Sequence, residues 1–249
     1  IKAELNTLYN FNDEDLIKTM DYGIPQMRKR NIFLLVRKDM NFVWNFPKPS
    51  KKIINLRQAL KNVPSLDPLL REGYNETVKM FPDYEKKKKA GLKISRFHYP
   101  PVHSKKHVNW MMKTPSGKTA FDNKYNFPHK KNGKRISGHY NHYRRHAWDK
   151  PSRSLTQNNG VVSSLACVHP GHCLVAGDEK KRIYSDPRCF SIYELLIVSS
   201  LPLNWNIPTW SKEQEIRKII GEGIPSLLVK YIFQELLTNL QNSKHQLAS

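Results

Sequence analysis

Two guanidinium groups and an amide stand at alternating positions in Gln26-Met27-Arg28-Lys29-Arg30, just before the apolar run Asn31-Ile32-Phe33-Leu34-Leu35-Val36-Arg37. Successive side chains of an extended segment point to opposite sides, so Gln26, Arg28 and Arg30 would share one face. A planar guanidinium presents paired donors to a phosphate or a base oxygen, and an amide both donates and accepts. The chemistry open to such a face is recognition and polarisation of an oxygen. A basic patch on an edge strand is the plainer reading of the same residues.

The surrounding elements must position this face. Asn12, followed by Asp13, Glu14 and Asp15, predicts a short capped helix that turns Leu16, Ile17 and Met20 inward and stops at Tyr22-Gly23-Ile24-Pro25. The run 31–37 has the length and branched composition of a strand buried on both faces, as in the core of an α/β sheet. Asn55 predicts a second cap, before a helix through Leu56, Ala59 and Leu60 that ends at Pro64. Residues from about 65 to 150 show little periodicity and many turn formers, which predicts an irregular domain with short strands. Late in the chain, Ser191/Glu194 and Ser211/Gln214 have capping-box spacing, and Pro225 opens a final helix before a polar, frayed tail beyond Gln241.

Charge separates this middle region from the rest. The chain carries 42 Lys+Arg against 21 Asp+Glu, a net +21. Between Lys86 and Arg153 the acids are only Asp122 and Asp149, while Phe97, Tyr99, Trp110, Phe121, Tyr125, Tyr140 and Tyr143 are interleaved with the bases. Cations beside stacking faces and amides suit a nucleic acid better than a merely solvated surface. Arg96, Lys105, Lys106, Lys113, Lys118, Arg135, Arg144 and Arg145 are the candidate DNA contacts. His98, His103, His107, His139, His142 and His146 are expected at the surface or against DNA. Cys167-Val168-His169-Pro170-Gly171-His172-Cys173 offers four N/S ligands, but adjacent His172 and Cys173 cannot both turn to one ion, so no metal site is expected. The odd count of three cysteines argues against a disulfide framework. No apolar run approaches the roughly 20 residues that span a bilayer. A cytoplasmic protein is expected.

The segment Tyr22-Gly23-Ile24-Pro25-Gln26-Met27-Arg28-Lys29-Arg30 resembles motif VIII of DNA cytosine-5 methyltransferases. Arg188-Cys189-Phe190-Ser191-Ile192-Tyr193-Glu194, closing at Ser200-Leu201-Pro202, is similar to their motif IX. Gly221-Glu222-Gly223-Ile224-Pro225 is similar to motif X, and Trp148-Asp149-Lys150-Pro151-Ser152-Arg153-Ser154-Leu155-Thr156 to the segment that closes the variable region. These blocks follow one another in the family's order across nearly the whole chain.

The resemblance implies an α/β fold: the C-terminal part of a Rossmann-like, S-adenosylmethionine-dependent methyltransferase plus an irregular, mostly β target-recognition domain. Residues 1–42 would end the catalytic domain, 43–187 would form the target-recognition domain, and 188–249 would return to the catalytic domain. Arg30 would contact the oxygen of a flipped cytosine, with Arg28 and Gln26 supporting the pocket. Gly221, Glu222 and Gly223 would lie against S-adenosylmethionine, although Glu222 stands where the family has asparagine. Arg188 and Glu194 would organise the target-recognition domain. Double-stranded DNA would be the substrate, within a bacterial restriction-modification system.

The family's thiolate, which attacks the flipped base, comes from a Pro-Cys element. Cys167, Cys173 and Cys189 follow Ala, His and Arg instead, and no Glu-Asn-Val or N-terminal glycine-rich loop is present. The chain is therefore expected to need a missing N-terminal half, in the same polypeptide or a separate subunit, and to be inactive alone. Ile at position 1 fits such a piece. A non-catalytic DNA-binding or specificity subunit on the same scaffold is the alternative, and a zinc-dependent RNA binder a more distant one.

Overall fold

Residues 9–18 form a strand where the Asn12 cap predicts a helix. The computed structural model describes residues 2–40, 42–50 and 52–248. In chain order its first elements are α1 (Lys2–Leu5), β1 (Tyr9–Lys18), β2 (Gln26–Met27) and β3 (Lys29–Arg37). β1 and β3 pair antiparallel from Tyr9↔Arg37 to Lys18↔Lys29, with a shift of register between Glu14 and Ile17. This long-range pairing overrides the local capping signal. Asn12 instead donates its amide to the Trp44 carbonyl at 3.0 Å. The side chains of Asp13, Glu14 and Asp15, and all of Ile1, lie outside the described residues. The 3-10 turn Thr19–Tyr22 closes on Gly23, whose φ of 72° is one that side-chain-bearing residues resist.

The middle of the chain contributes α2 (Leu56–Ala59), β4 (Leu69–Leu70), α3 (Tyr74–Met80), α4 (Tyr84–Ile94), β5 (Val102–His103), α5 (Lys105–Met112) and β6 (Ser152–Arg153). It is irregular as expected, but its regular parts are helical, with strands only two residues long. Asn55 caps α2 in a full capping box with Gln58. The lysines at 86–89 ride on α4.

The last elements are β7 (Cys173–Val175), β8 (Ile183–Tyr184), α6 (Ile192–Val198), α7 (Glu213–Glu222) and α8 (Ser226–Ala248). The Ser191/Glu194 box caps α6 as predicted. α7 is capped at Lys212, one residue beyond the predicted Ser211, and Lys212 donates its N–H to Glu215. The polar stretch beyond Gln241 continues α8 rather than fraying.

Three packing arrangements matter for the site. Ile17, Tyr22, Ile24 and Leu34 pack on Leu228 and Ile232 of α8. Leu155, Phe190, Leu195, Leu196, Ile216 and Ile220 form the core that joins α6 and α7 to the loop after β6. Val168, Cys189, Trp110, Met111 and Tyr143 anchor the middle region. Strand β3 is covered mainly on one face: Leu34 and Val36 are buried, whereas Phe33 is exposed and lies beside Phe11 across the ribbon at 5.5 Å between ring centroids. The expectation of a strand buried on both faces is not met within the described residues.

Candidate functional site

β2 lies parallel to β6, pairing Gln26 with Ser152 and Met27 with Arg153. This contact carries the loop after β6 to the arginines, and the end of α7 arrives from the other side. The result is an open cavity of about 540 Å³, lined by Arg28, Arg30, Thr156, Asn158, Gly221 and Glu222.

Arg28 is the clamp of this site. It is 2% exposed, and its Nη1 donates to the carbonyls of Leu155 (3.2 Å) and Gly221 (2.8 Å), its Nη2 to that of Glu222 (2.9 Å). Two of these carbonyls belong to the last turn of α7, where unpaired C=O groups and the helix dipole favour a cation. Gly221 is required by the same packing. A Cβ there would lie 2.2 Å from the Thr156 carbonyl oxygen, a backbone atom that cannot rotate away. Gly221→Ala is expected to cost about 1–3 kcal/mol of stability, as other insertions into packed interiors do, read as a lowered urea midpoint.

Arg30 differs from Arg28 in being half-buried, and among the described residues its side chain bonds from Nη1 to the Lys29 carbonyl at 2.9 Å. Among the described residues its other donors meet no partner, and the side chain lines the cavity. Gln26 is buried but outside the cavity, with Nε2 on Ser199 Oγ at 3.3 Å and Oε1 unpartnered. Gly223 caps α7, donating to Ile219 at 2.9 Å, and also stands apart from the cavity lining. The structure thus gathers Arg28, Arg30, Gly221 and Glu222, and leaves Gln26 and Gly223 aside. Thr156 and Asn158 join the lining without having been singled out as site residues. Thr156 ends a segment already conspicuous by its family resemblance, whereas Asn158 carries no signal before the fold is known.

Arg188 and Glu194 form a buried charge centre. Arg188 donates to Glu194 Oε2 (2.7 Å) and Oε1 (2.9 Å), to Asp186 Oδ1 (2.8 Å) and to the Leu66 carbonyl (2.9 Å). Ser65, Leu66 and Ser185 complete the shell of Asp186. Although burial opposes ionisation, the Arg188 charge, joined by His169 once acid protonates it, holds both carboxyls below their ordinary range, Glu194 at about 2. Burial keeps His169 neutral, its pKa lowered to about 4.

A family model, C-5 cytosine-specific DNA methylase, matches residues 1–238. The chain belongs to this family. It is 38% identical over 222 residues to Type II methyltransferase M1.HgaI of Avibacterium volantium, covering 89% of this chain and 54% of that protein. A shorter match, 39% over 57 residues, joins it to Type II methyltransferase M.MthTI of Methanothermobacter thermautotrophicus, covering 23% of this chain and 17% of that one. The chain therefore spans about half the length of M1.HgaI and less of M.MthTI. Its fold resembles that of a prophage-encoded E. coli protein described as a candidate DNA modification methyltransferase, with a TM-score of 0.57 at 17% identity, over 95% of this chain and 62% of that one. This likeness supports the α/β methyltransferase fold.

Within this C-5 methylase chain the candidate DNA contacts occupy unlike places. Lys118 is exposed. Arg135 stacks on Phe127 at 3.6 Å and Arg96 on Phe97 at 4.5 Å. Lys106 lies over Trp110 at 5.0 Å, Lys105 pairs with Glu76 at 2.6 Å, and Lys113 donates to the Lys180 carbonyl at 2.8 Å. Arg144 lies over Tyr140 and keeps one unpartnered, buried Nη1. Arg145 requires a correction. It is fully buried, and its guanidinium serves the carbonyls of Met111, His169, Ser185 and Asp186, so it braces the fold from inside.

The histidines need a similar correction. His98, His103 and His146 are buried, and His98 bridges Ser191 Oγ and the Pro64 carbonyl at 2.8 Å each. Cys167 and Cys189 face each other in the interior with Sγ atoms 3.5 Å apart, whereas Cys173 is exposed on β7. No described helix is long and apolar enough to cross a membrane.

Proposed function

We propose that this chain supplies the base-pocket wall and the target-recognition region of a site-specific DNA (cytosine-5)-methyltransferase, and that a further N-terminal part supplies the nucleophile. The observation that carries this reading is the convergence of three sequence-remote segments, around Arg30, Thr156 and Gly221, on one cavity. A half-buried guanidinium with free donors suits the oxygen of a cytosine turned out of its duplex. Arg30 would hold that oxygen and stabilise charge developing on the ring as the missing thiolate adds. Residues 43–187 would read the duplex, and the exposed Phe33 face of the β1–β3 ribbon is where the N-terminal part would pack.

S-Adenosylmethionine fits the remaining wall in part. The Glu222 side chain is exposed at the cavity and its carboxylate can accept ribose hydroxyls, whereas the Gly221 and Glu222 carbonyls are already engaged by Arg28. The cofactor supplies the electrophilic methyl group. Likeness to Type II enzymes supports a role in modification beside a restriction nuclease, in a bacterial cytoplasm.

Alone, the chain should bind duplex DNA and transfer no label from radioactive S-adenosylmethionine. In the protein completed by its N-terminal part, Arg30→Ala should lower the rate of label transfer by about 10²–10³-fold, as removal of one charge-stabilising donor does elsewhere. DNA affinity should change little. Loss of affinity alone, with unaltered transfer per bound complex, would favour the non-catalytic specificity subunit, and transfer by the isolated chain would refute the division of labour.

A further inference from the structure

A second cavity, of about 250 Å³, opens between the α3–α4 turn, the end of α5 and the β7–β8 hairpin. It shares no lining residue with the Arg30 cavity. Phe81, Met112, Leu174 and Tyr184 give it thioether, ring and branched surfaces suited to a flat apolar group. Asp67 is also part of its wall and is 3% exposed. One carboxylate oxygen accepts from Lys87 at 2.9 Å, and the other, Oδ2, is buried without any partner.

That vacancy sets Asp67 apart from the chain's other deeply buried acids. Asp186 receives donors from Ser65, Leu66, Ser185 and Arg188, and Glu194 from Arg188 and Ser191. Buried carboxylates are normally bonded in this way, so Oδ2 lacks an N–H or O–H donor carried by something that also fills an apolar space. The surroundings define the carrier. Lys87 and the exposed Asp83 also line the cavity, and Lys113 and Arg182 neighbour wall residues Met112 and Ile183 while bonded to the Lys180 and Lys113 carbonyls. The cavity is thus apolar around a buried carboxylate, with Lys87 in its wall and further cations beside it in sequence. A free anion would meet Asp67 inside, whereas a ring with an amino group and an attached phosphate satisfies both zones. At 250 Å³ the space is below the roughly 300–1,000 Å³ of pockets that enclose whole ligands, so one ring enters and the sugar-phosphate stays at the rim.

We propose that this cavity is a second nucleobase site, which takes an unstacked base through donation of its exocyclic amino group to Asp67 Oδ2. Carboxylates accept from the cytosine amino group in the same way in groove readout. The nucleotide's source is either a base extruded from bound DNA or a free nucleotide. The proposal stands apart from the methyl-transfer reading, because binding alone tests it.

Titration of the purified chain with CMP and with UMP, followed by NMR, checks it. CMP should bind about 10-fold or more tightly than UMP, a difference of one good hydrogen-bond contact. In Asp67→Asn the amide oxygen retains Lys87 and its NH₂ turns to the ligand, so the preference should vanish or reverse. Because the ratio is taken within one variant, it does not depend on that variant's stability. Leu174→Trp, at an exposed wall position, should block both nucleotides, and Arg30→Ala should leave the CMP preference intact, which separates this site from the Arg30 cavity. Tighter binding of a duplex bearing an unpaired cytosine than of one bearing an unpaired thymine, lost in Asp67→Asn, would assign the base to DNA. Mononucleotide preference without it would assign a free nucleotide. Absence of CMP binding, equal CMP and UMP affinities, or an unchanged ratio in Asp67→Asn overturns the proposal.

Discussion

Replacing Arg188 by methionine is expected to cost about 3–5 kcal/mol of folding stability at neutral pH, the range seen when one partner of a buried ion pair is removed. Arg188 is fully buried and touches four groups from three parts of the chain: Leu66, Asp186, Cys189 and Glu194. Methionine matches its stem but leaves Asp186 and Glu194 charged, close together and out of water. Since domains have about 5–15 kcal/mol in total, the variant should lose a large share of it, seen as a fall in urea midpoint.

The pH dependence distinguishes lost charge compensation from lost packing. In the wild-type chain, the Asp186 and Glu194 pKa values are depressed, Glu194 to about 2. Their stabilisation is present above the unfolded carboxylate range near pH 4 and is lost as pH falls through the folded values. Without Arg188, burial raises the same two pKa values above the unfolded ones, and protonation then favours the folded state. His146 is held neutral by burial and does not depend on Arg188, so both proteins lose stability below about pH 6.5. The informative quantity is the gap between them. It should narrow between pH 7 and pH 4; a gap independent of pH would assign the cost to packing.

How much of this was legible beforehand differs by residue. The alternation of Gln26, Arg28 and Arg30 is local; Gln26 and Arg28 are buried and Arg30 half-buried, although Gln26 turns away from the cavity. The Ser191/Glu194 box is also local, and it forms as written. Asn12 is misleading because its cap signal is as good as that of Asn55, and only the pairing of β1 with β3, set by residues about 20 positions away, turns the segment into a strand. Arg145 and the buried histidines fail for a related reason. Charge composition reports how many cations a region holds, but not which of them the backbone carbonyls of an irregular fold will draw inside. A loop-rich core with few ladders leaves carbonyls unpaired, and long cationic side chains satisfy them. Asp186, absent from any motif, becomes visible only when Leu66 and Arg188 meet around it.

The same economy makes Arg28 the residue whose loss should couple most directly to the site. Arg28→Met removes donors from Leu155, Gly221 and Glu222 at once, and a buried acceptor left bare costs about 1–3 kcal/mol. Because the Glu222 contact is partly solvated, the total should lie nearer 3 kcal/mol than the full sum. Lysine keeps the charge, but a single ammonium cannot span two segments as a planar fork does, so Arg28→Lys should recover stability without restoring the geometry. The loop of Thr156 and the end of α7 would then no longer be pinned to one another across Arg30. In the completed enzyme, Arg28→Lys should fold, bind DNA with near-normal affinity and yet transfer label at least about 10-fold more slowly, as small misplacements near a reacting group do. Stability restored together with rate would mean that Arg28 only holds the fold. Stability restored without rate would mean that the clamp sets where Arg30 meets its base.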